Sequence, residues 1–193
     1  ANQIAAGEVV ERPASVVEEL MENSLDASAT KIAIDVEEGG RKLIPGTDNG
    51  EGMEPEDALA CFGRHATSKL YEPDDLFSIK SLGFRGEALP SIASVSRLLL
   101  ETQADGSIGT AIEIAGGKLL SQREQAFPRG TQISVEDLFF NVPARRKFLR
   151  SESYELSQIT SYCTHYALAF PEIHFTLKSA GFEILSAPTT GTF

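Results

Sequence analysis

The sequence predicts an α+β sandwich in which helices are layered on one face of a mixed, mostly antiparallel β-sheet. Apolar residues recur at helical spacing over residues 15–25 and again over 153–170. Between these two segments, four strand patterns follow one another over residues 97–137, with turn pairs at Asp105-Gly106 and Gly116-Gly117. Strands in succession, without strict alternation with helices, favour this class over a doubly wound parallel fold.

The first helix is predicted over Ser15–Leu25, with Pro13 suited to its first turn. Apolar and polar residues alternate over 32–36, which is typical of a half-buried strand. A second strand begins at Lys42, and Pro45-Gly46 is expected to end or bulge it because proline cannot donate to the ladder.

A second helix is expected from the acidic segment Glu54–Asp57, since acids suit a helix N-terminus. The long connection over 64–86 is typical of a functional loop, and a short helix over 88–95 follows it. The strand patterns that come next are Arg97–Thr102, Thr110–Ala115, Lys118–Gln122 and Thr131–Asp137.

A last helix over Ser153–Phe170 ends before Pro171 and is followed by two strand patterns, Ile173–Lys178 and Phe182–Ser186. We assign this strand pair to the start of a following domain. The predicted division is therefore residues 1–170 and 171–193, in a chain that is expected to be a piece of a longer protein.

Composition is ordinary for a globular protein, with 193 residues of which 41% are hydrophobic and 23% charged. No apolar run approaches the roughly 20 residues that a membrane helix needs. A net charge of −11 argues against nucleic-acid binding over the whole surface and leaves one dense basic run, Arg145-Arg146-Lys147. This run has two open interpretations, a local DNA contact and a solvated basic loop.

Two polar residues, Glu19 and Asn23, lie four apart on the first predicted helix and therefore on one face. A carboxylate beside a carboxamide can place a water next to Mg²⁺, which takes few protein oxygens and fills its other positions with phosphate and water. The same pair is also common on a merely solvated helix face, so this motif alone decides nothing.

Glycine-containing segments supply three further candidate sites. Asp48-Asn49-Gly50-Glu51-Gly52 follows a strand, and its Asp can accept from an exocyclic amine such as that of adenine. Gly83–Glu87 precedes a helix and can bind an anion through its amides, with Lys69 adding charge. Thr131 opens a strand and can contact a base edge. Each also fits a plain turn, loop or β-former.

The order of these parts is more specific than any one of them. A helix with E-x-x-x-N, a strand with D-x-G-x-G, a glycine-broken loop and a G-T pair occur in this order in the GHKL ATPases, which the chain resembles. These enzymes include gyrase, a heat-shock chaperone, sensor histidine kinases and MutL. The P-loop pattern G-x-x-x-x-G-K-[ST] does not occur in the sequence.

Within that class the chain resembles the MutL family of DNA mismatch-repair proteins, from Ala1 to about Arg150. The resemblance is carried by NQIAAGEV, ELMENSLDASAT, GRHATSKL, GFRGEAL and FFNVPARRKFLR. It implies an ATPase that binds Mg-ATP in a GHKL-type domain over 1–170, with 171–193 starting the next, transducer domain. Because MutL proteins take a further phosphate-contacting Lys from that next domain, this chain alone is expected to bind and hydrolyse ATP weakly.

The resemblance also implies roles by position. Glu19 matches the general base and Asn23 the magnesium ligand, while Asp48 matches the acid that binds adenine. The other positions that the resemblance assigns to the nucleotide are Ala27, Gly52, Met53, Thr67, Ser68, Lys69, Gly83, Phe84, Arg85, Gly86, Glu87 and Thr131.

The partners implied by the resemblance are a second copy in an ATP-dependent homodimer, the mismatch-recognition protein MutS, a downstream nuclease or helicase, and DNA. The implied location is the bacterial cytoplasm, near the nucleoid during repair. Two interpretations of the function remain open: a repair ATPase, and a nucleotide-gated matchmaker whose output is partner binding. A type II topoisomerase ATPase domain shares the E-x-x-x-N and D-x-G-x-G parts, but GFRGEAL and PARRKFL argue against it.

Overall fold

The computed structural model describes residues 10–63 and 88–190. Its strands are β1 Lys31–Val36, β2 Leu43–Asp48, β3 Arg97–Gln103, β4 Thr110–Ala115, β5 Lys118–Glu124, β6 Gly130–Glu136, β7 His174–Ser179 and β8 Phe182–Ala187. Its helices are α1 Pro13–Asp26, α2 Pro55–Ala60, α3 Ala88–Ser94, α4 Pro143–Phe148 and α5 Glu152–Ala169, with a short 3₁₀ turn at Glu38–Gly40. None of these helices is long and apolar enough to cross a membrane.

All eight described strands form one sheet in the order β5-β4-β3-β6-β2-β1-β7-β8. Six of its seven neighbouring pairs are antiparallel, and β1 with β7 is the parallel pair. The prediction of a mixed, mostly antiparallel sheet is therefore confirmed. This order places β2 and β6 side by side at the centre, so the carboxyl end of β2 adjoins the start of β6.

The core lies between one face of the sheet and the helices. α1 buries a stripe at positions i, i+3, i+4 and i+7, and alternate residues of the strands point to the same core. Gly46 of β2 lies under this stripe: a Cβ there would be 3.0 Å from Leu20 Cδ1 and 3.1 Å from Ile34 Cδ1. A glycine at this position lets α1 approach the sheet closely.

The prediction that Pro45-Gly46 ends or bulges the second strand is wrong. β2 runs on to Asp48, and its register with β6 is unbroken from Leu43↔Glu136 to Asp48↔Thr131. On its other side, the continuous pairing with β1 stops at Ile34↔Gly46, and contact resumes at the bridge Glu37↔Leu43. Pro45 therefore interrupts the pairing with β1 only, and the pairing with β6 keeps the strand continuous.

The two strands that follow α5 lie in the same sheet as β1. β7 pairs with β1 in six consecutive positions from Lys31↔His174 to Val36↔Ser179, and β8 pairs with β7. Phe175 and Leu177 are buried in the same core as α1. Residues 174–187 are therefore part of this sheet, and the division of the chain into residues 1–170 and 171–193 stays a prediction.

The helix α4 was not predicted from the sequence. This helix has six residues, Pro143–Phe148, and none of them is buried. A helix that short and that exposed has no apolar periodicity for sequence inspection to detect.

Candidate functional site

Asp48, the last residue of β2, carries the best-defined polar side chain of the candidate site. Its Oδ2 accepts a hydrogen bond from the Ser24 hydroxyl at 2.7 Å, and its Oδ1 accepts one from the Gly50 amide at 2.9 Å. The two donors come from α1 and from the loop after β2. Because each holds a different oxygen, the carboxylate is fixed in orientation while it keeps lone pairs for a further donor.

Thr131 lies directly opposite Asp48 in the β2–β6 register and directly opposite Thr102 in the β3–β6 register. The hydroxyl oxygens of Thr102 and Thr131 are 2.9 Å apart. Thr102 also accepts from the Met53 amide at 3.0 Å and lies 3.0 Å from the Gly130 carbonyl oxygen. This network holds the loop after β2 against the ends of β3 and β6.

The loop over residues 49–54 lies close enough to β3 that one of its positions requires glycine. Gly52 has a φ of +68°, and a Cβ there would lie 1.8 Å from the Gln103 carbonyl oxygen. At the other end of the loop, Asn49 Oδ1 accepts from the amides of Thr30 at 2.9 Å and Lys31 at 2.8 Å. The loop is therefore held at both ends, which favours a preformed site.

One flank of α1 reaches the same loop. Glu19, Asn23 and Ala27 follow one another at intervals of four residues and are half-buried. The Ala27 carbonyl accepts from the Glu51 amide at 2.9 Å, and a Cβ on Gly50 would lie 2.8 Å from Ala27 Cβ. The row of Glu19 and Asn23 therefore leads directly to the loop that follows Asp48.

The structure thus brings Asp48, Thr131, Gly52, Met53 and Ala27 together, with Glu19 and Asn23 on the adjoining helix flank. The other predicted nucleotide contacts lie outside the described residues: Thr67, Ser68, Lys69, Gly83, Phe84, Arg85, Gly86 and Glu87.

Sequence reasoning missed two polar residues of this site, Ser24 and Thr102. Ser24 is 6% exposed and Thr102 is fully buried. Both were detectable as polar residues at positions that the apolar pattern places inside, Ser24 in the stripe of α1 and Thr102 after Leu98 and Leu100 in β3. A buried hydroxyl needs a partner, which makes such positions candidates for site residues.

The basic run Arg145-Arg146-Lys147 lies on α4, which is distant from Asp48 in the sequence. Arg146 and Lys147 are exposed, Arg145 is half-buried, and the neighbouring Phe148 is 84% exposed. Further along, the guanidinium of Arg150 lies 4.4 Å from the centre of the Tyr154 ring. This surface is locally basic in an otherwise acidic chain.

Three features together are typical of one class of nucleotide-binding protein. They are a layer of helices on a mixed sheet, an acid and a threonine on adjacent central strands, and a sequence without a P-loop. The chain matches the family model described as histidine kinase-, DNA gyrase B- and HSP90-like ATPase over residues 11–144. The chain therefore belongs to this family, and the predicted ATPase class is confirmed.

Within this family the relatives are MutL proteins, so the predicted resemblance to MutL is confirmed. The chain is 62% identical over its whole length to the DNA mismatch repair protein MutL of Koribacter versatilis, and 63% identical over 186 residues to that of Solibacter usitatus. It spans only 30% and 28% of the length of these two relatives.

Solved structures agree with the sequence relatives. The Aquifex aeolicus MutL ATPase domain complexed with ADP matches with a TM-score of 0.76 and 37% identity, covering 95% of this chain and 66% of that one. The N-terminal domain of a DNA repair protein matches with a TM-score of 0.82 and 27% identity, covering 99% of this chain and 57% of that one.

Proposed function

We propose that this chain binds Mg-ATP with its adenine at Asp48 and Thr131, and that it hydrolyses the γ-phosphate with Glu19 as general base. The observation that carries the proposal is the Asp48 carboxylate, fixed by Ser24 and Gly50 and opposite Thr131 in the sheet. A fixed carboxylate accepts from the exocyclic amine of adenine. The solved Aquifex aeolicus MutL ATPase domain with ADP supports an adenine nucleotide as the ligand.

The described residues suit Mg²⁺, which phosphates and water can largely coordinate, better than a metal ion that must be held by protein side chains alone. Among residues 10–63 and 88–190, no group of three or more His, Cys, Asp or Glu residues is placed to hold a metal ion. Mg²⁺ needs only one or two protein oxygens when phosphates and water supply the rest, and the Asn23 amide oxygen is such a ligand. When bound, the ion would neutralise charge on the phosphates.

Glu19 is suited to act on water because it lies one helical turn before Asn23 on the same half-buried flank. In this role its carboxylate orients the attacking water and takes its proton. Most of the catalysis in phosphoryl transfer comes from such positioning and from charge stabilisation. Thr67, Ser68, Lys69 and the segment Gly83–Glu87 are proposed to contact the ribose and phosphates.

The adenine site is tested by titrating Mg-ATP into the protein and its Asp48→Ala variant. The variant is expected to bind about 10- to 100-fold more weakly, because it loses a hydrogen bond to a charged group. Asp105→Ala is the matched control, since the Asp105 side chain is 79% exposed in a turn and pairs with Arg129. Equal affinities for Asp48→Ala and the control would overturn the proposal.

The cellular role follows from the MutL relatives and is part of the proposal. ATP closes two copies into a homodimer, and the closed form links MutS to a downstream nuclease or helicase in mismatch repair in the bacterial cytoplasm. The matchmaker interpretation predicts that a non-hydrolysable ATP analogue supports full recruitment of the partner. If recruitment needs hydrolysis, the chain acts as a repair ATPase whose turnover is the output.

The surface around Arg145, Arg146 and Lys147 supports a local DNA contact. Exposed cations bind phosphates and release counterions, so such binding weakens as salt rises. Exchanging the three residues for Ala is expected to reduce DNA binding and its salt dependence together. A variant that keeps the salt dependence of the parent protein would assign DNA binding to another surface.

A further inference from the structure

Ser24 carries a buried hydroxyl that connects the carboxyl-terminal end of the α1 stripe to the acid at the end of β2. We propose that Ser24 is a positioning residue that orients the Asp48 carboxylate for the exocyclic amine of adenine and thereby contributes to base selectivity. The inference rests on the proposed function, because it concerns how Asp48 recognises the base. Ser24 itself does not need to touch the nucleotide.

The first argument is where the hydroxyl proton of Ser24 goes. Two acceptors compete for it, the Leu20 carbonyl at 3.0 Å and Asp48 Oδ2 at 2.7 Å. Hydrogen bonds to an ionised acceptor are shorter and stronger than those to a neutral one. The shorter distance therefore assigns the proton to Asp48, and the Leu20 carbonyl keeps its place in the helix ladder.

The second argument is that the carboxylate is held on both oxygens. Ser24 donates to Oδ2, and the Gly50 amide donates to Oδ1 at 2.9 Å. An ionised carboxylate held in this way presents only acceptor lone pairs to the site. The 6-amino group of adenine donates to a remaining lone pair of the carboxylate, whereas a carbonyl or a hydrogen at that position of a purine leaves that lone pair without a donor.

Ser96 is a matched control for a purely structural role of Ser24. Ser96 is also buried and also contacts the carbonyl four residues before it, at 2.6 Å from Ile92 O. The described hydrogen bonds of Ser96 include no carboxylate. Removing the Ser96 hydroxyl therefore reproduces the loss of a buried back-bonded serine without disturbing Asp48.

The test measures dissociation constants for ADP and for purine riboside diphosphate, which lacks the 6-amino group. The parent protein is compared with Ser24→Ala, with Ser24→Thr, which keeps a hydroxyl, and with Ser96→Ala. We expect Ser24→Ala to bind ADP about tenfold more weakly and the deamino ligand within about twofold of the parent protein. Ser24→Thr is expected to recover most of the preference for ADP, and Ser96→Ala to keep all of it.

The outcomes separate this inference from the proposed function. A parent protein that binds neither ligand overturns the proposed function and this inference with it. A parent protein that prefers ADP, with an unchanged preference in Ser24→Ala, leaves the adenine site standing and overturns the role of Ser24. Equal weakening of both ligands in Ser24→Ala indicates a structural role and also overturns it.

Discussion

Both flanks of α1 carry glutamates, but the two flanks have different surroundings. One flank carries Glu19, Asn23 and Ala27 and leads to the loop after β2, where the Ala27 carbonyl accepts from the Glu51 amide. The other flank faces α5, where Tyr166 donates to Glu22 at 3.2 Å and Tyr162 hydrogen-bonds with Glu18. Adjacent glutamates therefore have separate surroundings, because neighbours on a helix point about 100° apart.

The flank of α1 that faces α5 is packed by aromatic rings. The Tyr162 and Tyr166 rings lie 5.1 Å apart along α5, and Tyr166 stacks on Phe170 at 5.8 Å. Leu25 lies among the residues that line a small apolar cleft with Tyr166 and Phe170. The aromatic row of α5 therefore contacts the flank of α1 that carries Glu22 and Leu25.

The largest expected effect separates the two glutamates directly. Glu19→Ala is expected to lower the rate of ATP hydrolysis by about 10²–10⁴-fold while ATP binding is kept, because a general base contributes on that order. Glu22→Ala, on the opposite flank, is expected to hydrolyse within a few-fold of the parent protein. Steady-state and single-turnover assays measure hydrolysis in both variants, and a binding titration measures their affinity for ATP. If Glu19→Ala hydrolysed ATP at the parental rate, Glu19 would not be the general base.

A second substitution acts on the stripe between the flanks. Gly46→Ala places a Cβ 3.0 Å from Leu20 Cδ1 and 3.1 Å from Ile34 Cδ1, so α1 must shift or repack. Overpacking of this kind costs about 1–3 kcal/mol of unfolding free energy, measured by denaturant titration. Thr47→Ala, at an exposed position next to it, is expected to change stability by less than about 0.5 kcal/mol. Equal effects would mean that close approach of α1 is not needed.

A smaller effect is expected from Tyr166→Phe, which keeps the ring but removes the hydrogen bond to Glu22 and the longer one, at 3.4 Å, that Tyr162 donates. The loss of one such bond lowers the unfolding free energy by about 0.5–1.5 kcal/mol. Hydrolysis is expected to stay within twofold, since the packed ring still positions α1. A fall in turnover larger than the fall in stability would show that the polar contact, and not the packing, aligns the site flank.

The smallest effect concerns alkaline pH. Burial, with a further contribution from the hydrogen bond with Glu18, raises the pKa of Tyr162 well above its ordinary value. A raised pKa means that the contribution of Tyr162 to stability is fully present below its unfolded pKa of about 10 and is lost as pH rises above it. The unfolding free energy should therefore fall less steeply above pH 10 in Tyr162→Phe than in the parent protein. Identical slopes would contradict this.

The elements with strong local patterns were predictable from the sequence. The stripe of α1, the alternation in β1 and the glycine turns between β3 and β5 all appear near the expected residues. These are short-range patterns, in which side-chain periodicity and turn chemistry act within a few residues. The ATPase class was predicted by another route, from the resemblance that the order of the site motifs carries.

Features that depend on partners distant in the chain were not predictable. Whether β2 survives Pro45 depends on β6, about ninety residues later, and whether β7 belongs to this sheet depends on β1. Ser24 and Thr102 were detectable as polar residues at inward positions, but their partners Asp48 and Thr131 were not, because those partners lie on other elements.

The amino-acid sequence by itself determined most of the segments that become helices and strands, the family to which the chain belongs, and the candidate acids and amide of the site. The tertiary structure alone decided which strands are neighbours, which flank of α1 faces the loop after β2, and which buried hydroxyl holds Asp48. The physical reason is the range of the forces involved. Local conformational preference is set by adjacent residues, whereas strand register and buried hydrogen bonds form only when distant segments share one core.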